Sequence, residues 1–155
     1  MDYVTVKWLH VVSSTVLFGT GIGSAFYLLC ASLQRDPRVV LSTVRYVVIA
    51  DWIFTTPSVI FQPLSGFYLA SVAGIPLSSG WIVLSLALYV VAGACWLPVV
   101  WMQIRMRELA RVAAESGHEL PPRYWIYFRA WVVLGIIAFG SLITVFYLMV
   151  AKPLM

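Results

Sequence analysis

The sequence predicts an all-α fold, an antiparallel bundle of four transmembrane helices in one domain spanning residues 1–155. Three observations carry this expectation. Hydrophobic residues make up 62 % of the chain and charged residues 10 %, where soluble domains average about 45–50 % and about 25 %. The charges are also segregated: Trp8 to Gln34, Trp52 to Ile104 and Ala130 to Ala151 contain no Asp, Glu, Lys or Arg. A helix that crosses a bilayer needs about 20 such residues. Between these windows lie polar, proline- and glycine-bearing segments of the kind that end helices.

The first span is expected over residues 3–33. Its apolar stretch is longer than the roughly 7–15 residues of a signal-peptide core, and no A-x-A-like site closes it. It therefore reads as a retained helix, stopped by Gln34-Arg35-Asp36-Pro37. The second is expected over 39–73. A straight helix of that length would reach about 50 Å, beyond a hydrocarbon core of about 30 Å. Either its first turns project from the membrane or it bends at Pro57 and Pro63. An uncharged turn, Ala73 to Gly80, leads into the third span, 81–104, which contains Pro98. Its helix should continue outside the membrane as "RMRELARVAAES" until Ser116-Gly117. The fourth span is expected over 124–151.

The formal net charge of +4 is topology information rather than a nucleic-acid footprint. Arg35, Arg38 and Arg45 follow the first span, and Arg105, Arg107, Arg111 and Arg123 lie between the third and fourth. Short arginine-rich connections stay cytoplasmic. That orientation places both termini on the outer, periplasmic side of a bacterial inner membrane. Cys30 and Cys95 sit apart in apolar sequence and read as buried thiols. No G-x-S-x-G, phosphate loop or paired-carboxylate pattern argues for a hydrolase or a nucleotide enzyme.

Polar side chains inside hydrocarbon are costly, so each should have a partner or a task. His10, Ser14, Leu17, Gly21 and Ala25 share one face of the first helix by steps of three and four. Lys7 and Trp8 read as interfacial anchors, and Ser13 or Ser14 as partners for the imidazole. Gly19, Gly21 and Gly23 allow close approach of a second helix, including a homodimer through this span, or of a flat cofactor. Asp51, Thr55, Ser58, Gln62 and Ser65 form a stripe on the second helix. Arg45 and Arg129 enter from the same side as Asp51 and are its candidate ion-pair partners. His10 and Asp51 should lie at different depths and form two separate sites.

The stretches "VKWLHVVSSTVLFGTGIG", "VVIADWIFTTPSVIFQPLSGFYLA" and "GACWLPVVWMQIRMRELA", and "MVAKP" near the end, resemble the bacterial predicted integral membrane proteins of domain-of-unknown-function family 2269. That resemblance implies four spans and no assigned activity. The start Lys7-x-Leu9-His10, with glycines about ten residues later, is more distantly similar to the first helix of HemJ-type protoporphyrinogen oxidases and CopD-like membrane proteins. In the HemJ type that histidine is associated with haem b. Only His10 is carried over. A second axial ligand would have to come from Lys7, a methionine, water or His10 of another copy.

Two functional readings follow. In one, His10 ligates haem b, Gly19, Gly21 and Gly23 make room for the macrocycle, and electrons pass to a quinone, a porphyrin or a redox protein. In the other, the protein is a non-enzymatic transporter-like or accessory subunit of the lipid bilayer. Its polar intramembrane site is then built on Asp51, Thr55, Gln62 and Arg129.

Overall fold

The computed structural model describes residues 2–153. Among them every regular element is helical, and four helical stretches are long and apolar enough to cross a membrane. Helix α1 covers Tyr3–Leu33. The second span is α2 (Pro37–Ala50), a π-helical turn (Asp51–Thr55) and α3 (Thr56–Val72) in unbroken succession. The third is α4 (Gly80–Ser116), and the fourth is α5 (Pro122–Ala151).

The ends follow from local chemistry. Asp2 caps α1, its carboxylate accepting from the Thr5 N–H at 2.9 Å and the Thr5 hydroxyl at 2.8 Å. These donors favour the ionised form and hold the Asp2 carboxyl below its usual value. This cap is therefore complete at neutral pH and is lost as the pH falls through that lowered value. Asp36 caps α2 by accepting from the Arg38 N–H at 2.8 Å, with Pro37 in the first turn, where its missing N–H is no loss. Helix α4 runs about three turns beyond the expected membrane span, as the sequence predicts. There Arg111 bridges Glu108 and Glu115 on an exposed face. It stops at Gly117, whose φ of 70° suits a residue without a Cβ.

Prolines shape the second span. The π turn ends at Thr55, two residues before Pro57, and the Thr56 N–H and hydroxyl both reach back to the Asp51 carbonyl. Pro57 has no N–H to continue the ladder, so the register shifts where the ladder is already interrupted. Pro63 likewise frees the carbonyl of Val59, four residues earlier. The Tyr89 hydroxyl of α4 donates to that carbonyl at 2.7 Å. Tyr89→Phe should orphan it and cost about 1–2 kcal/mol. Unfolding in SDS-containing mixed micelles measures this. The loss should shrink in a Pro63→Ala background, where the N–H is restored.

The densest packing lies at the arginine-bearing end. Leu28, Val40, Val44, Met106, Ala110 and Tyr124 are buried there in one apolar cluster. Tyr124, Phe128 and Trp131 stack in sequence along α5, with centroids 6.3 and 5.9 Å apart. Ser32 donates to the Leu28 carbonyl and accepts from the Tyr124 hydroxyl, each at 2.7 Å, which ties the end of α1 to the start of α5. Toward the opposite end, which carries both termini and the α3–α4 turn, α1 pairs with α3 and α4 with α5. Between these pairs the bundle leaves two cavities.

Candidate functional site: two polar clusters on two cavities

The stripe predicted on the second span is real and faces inward. Asp51, Thr55, Ser58, Gln62 and Ser65 are all buried. The bundle parts Asp51 and Thr55 from Gln62 and Ser65, in two sites at different depths.

The first site joins α1 to α3 near the termini. His10 Nδ1 lies 2.7 Å from Ser65 Oγ. The Ser65 hydroxyl is also 2.7 Å from the Phe61 carbonyl. With its proton directed there, His10 Nδ1–H is the donor to Ser65 and Nε2 keeps its lone pair. The Gln62 amide donates to the backbone carbonyl of His10 at 2.9 Å. The imidazole's partner is thus neither Ser13 nor Ser14, the local residues the sequence offered. Ser14 donates to the Val11 carbonyl, and Ser13 Oγ is buried without a partner. The ring rests 3.6 Å from where a β-carbon on Gly66 would stand, so glycine there admits the imidazole closely. Beside His10 is a cavity of about 480 Å³, bordered also by Lys7, Gln62 and Lys152.

The second site is built on Asp51. Thr55 Oγ1 donates to Asp51 Oδ1 at 2.9 Å. With the Gln103 amide oriented so that its nitrogen faces the carboxylate, Nε2 donates to Asp51 Oδ2 at 2.8 Å. Its oxygen then accepts from Trp131 Nε1 at 3.3 Å. One chain of bonds therefore runs from α5 through α4 to the π turn. The sequence missed Gln103, which sits on another helix with no local feature to single it out. The arginines offered as partners lie elsewhere. Arg45 and Arg129 are exposed, and among the described residues the ion pairs are those of Arg111. Arg129 therefore drops out of the polar site, and Gln62 belongs to the His10 cluster.

Asp51, Thr55, Gln103 and Trp131 border a cavity of about 620 Å³. So does Trp96, whose indole N–H is buried without a partner. Leu17, Phe18, Tyr89 and Leu142 border both cavities and form the layer they share. The helix-one face His10, Ser14, Leu17, Gly21 and Ala25 fronts the two cavities in succession.

The glycines that the haem reading pairs with His10 do not share its cavity. Gly19, Gly21 and Gly23 lie nine to thirteen residues beyond His10, about 13–20 Å along the helix. Gly21 borders the Asp51 cavity, where a β-carbon would meet Phe139 at 3.2 Å, while Gly19 and Gly23 border neither cavity. The other histidine, His118, is exposed in the loop at the opposite end. What does fit a ligating role is the fixed Nδ1 of His10, a common feature of metal-bound imidazoles.

No curated protein and no solved structure matches the chain. The resemblance to HemJ-type and CopD-like proteins, read from Lys7-x-Leu9-His10 and the glycines about ten residues later, is not among what these comparisons show. Four helices of membrane-spanning length, with polar residues turned inward, agree with the family model that matches residues 4–153, and the chain belongs to that family, described as predicted integral membrane protein (DUF2269).

Proposed function

We propose that this protein is a non-enzymatic, ligand-binding membrane protein of transporter-like or accessory type, with the Asp51 cavity as its recognition site. The observation that carries the reading is the Thr55–Asp51–Gln103–Trp131 network on the wall of a cavity of about 620 Å³. Binding sites for small molecules are mostly apolar, of about 300–1,000 Å³, with a few fixed polar groups. Here three elements hold one carboxylate in a fixed orientation against an apolar space. The arginine-rich end faces the cytoplasm of a bacterial inner membrane in this reading, following the charge asymmetry of the short connections.

Gly93 of α4 gives the test. It borders the cavity, and a β-carbon there would meet nothing within 4 Å. Gly93→Leu should fill the space without disturbing the fold, since leucine is the better helix former by about 0.8 kcal/mol. Native mass spectrometry of protein extracted from membranes should show a small-molecule adduct on the wild type that Gly93→Leu loses. Equal adducts on both proteins, or none on either, would count against the proposal. A Soret band in the purified wild type that His10→Ala removes would shift the choice to haem at the first site.

A further inference from the structure

We propose that the ligand of the Asp51 cavity is a lipophilic organic cation, a quaternary or delocalised positive charge carried on an apolar body. The inference rests on the binding-site reading above and adds the sign of the ligand's charge. Asp51 is the sole Asp, Glu, Lys, Arg or His among the described residues bordering this cavity. It is only 5 % exposed, and its two oxygens accept from uncharged donors, Thr55 and Gln103. Those bonds orient the carboxyl group but bring no positive charge to it. An ionised side chain inside a membrane bundle normally pairs with an opposite charge, and no described residue bordering the cavity supplies one. The partner that Asp51 lacks is a cation.

The rest of the wall sets what kind of cation fits. Phe18, Tyr89, Trp96, Trp131 and Phe139 border the same space. The faces of aromatic rings attract desolvated cations, with quaternary ammonium groups a common case. A small divalent ion would need about six oxygen ligands, and the polar side chains of the wall are a single carboxylate, one amide and the hydroxyls of Ser24, Thr55 and Tyr89. An anion would meet Asp51 with like charge. A neutral molecule with a carbonyl would use the free Trp96 N–H and leave Asp51 as it is, and this alternative can be distinguished by experiment.

Three probes of similar bulk separate these cases: tetraphenylphosphonium, its sign-reversed counterpart tetraphenylborate, and neutral triphenylphosphine oxide. Each is titrated against the wild type and Asp51→Asn in nanodiscs of zwitterionic lipid, and binding is read by equilibrium dialysis. Circular dichroism and size exclusion check that the variant is folded, with Asp51→Glu as the charge-preserving control. Tetraphenylphosphonium should saturate at one per wild-type chain. Asp51→Asn should weaken it by about tenfold or more, and Asp51→Glu should restore most of the affinity. Equal phosphonium affinity in the wild type and Asp51→Asn, or saturable borate binding at this site, overturns the inference. Saturable phosphine oxide binding that is insensitive to Asp51→Asn but lost in Gly93→Leu, with no phosphonium binding, overturns the cation while leaving the cavity as a binding site. Binding of every probe unchanged in Gly93→Leu overturns both.

Discussion

Replacing Tyr124 by alanine should destabilise the bundle by about 3 kcal/mol or more, the largest loss expected from any single truncation. Tyr124 is fully buried at the start of α5. Its ring stacks on Phe128, its edge meets Trp125, and its hydroxyl donates to Ser32. In a membrane the transfer of an aromatic side chain from lipid to protein contributes little, because lipid is also apolar. The loss comes instead from the cavity, the forfeited contacts and the Ser32 hydroxyl left without its donor. Tyr124→Phe keeps the ring and should lose only about 1 kcal/mol. Unfolding in SDS-containing mixed micelles measures both. Similar values for the two variants would place the weight on the hydrogen bond instead of the packing.

Gln103→Leu should be the second most damaging change, at about 2 kcal/mol, although leucine is apolar and similar in size. Gln103 is buried and serves two partners on two elements, Asp51 and Trp131. Its removal leaves Asp51 Oδ2 without its donor and the Trp131 N–H without its acceptor. Each orphaned buried group costs about 1–3 kcal/mol, while interhelical hydrogen bonds in membranes average nearer 0.6 and reach about 1.7. Asp51→Asn retains a side chain of the same shape and should cost less than Gln103→Leu. The reverse order would mean that the carboxylate's charge has a structural partner.

The helices were legible because charge and turn residues mark them plainly. Gln34-Arg35-Asp36-Pro37 separates α1 from α2, and Ser116-Gly117 stops α4. The inward stripe from Asp51 to Ser65 was legible from spacing alone, because each step of three or four returns to the same face. Pairings between helices were not. His10 bonds Ser65, 55 residues away, while the local serines that looked like its partners turn back on their own helix or lie unpaired. Asp51 offers the same lesson. Opposite charge nominated Arg129, but a long cationic side chain near a helix end reaches outward to the interface. The carboxylate is served instead by Gln103, a neutral residue whose neighbours "WMQIRM" read only as the end of a span. The π turn also escaped notice, although Pro57, just behind it, was its sequence signal.

The cavity's chemistry depends on Asp51 being held by Gln103 and free of arginine, and a pair of double-mutant cycles tests this most directly. Unfolding free energies in mixed micelles are compared for Asp51→Asn with Gln103→Leu and for Asp51→Asn with Arg129→Gln. The geometry predicts coupling of about 0.5–2 kcal/mol in the first cycle and none beyond about 0.3 kcal/mol in the second. Strong coupling to Arg129 with none to Gln103 would make Asp51 half of a structural ion pair and contradict the proposal that it is the cavity's unpaired charge.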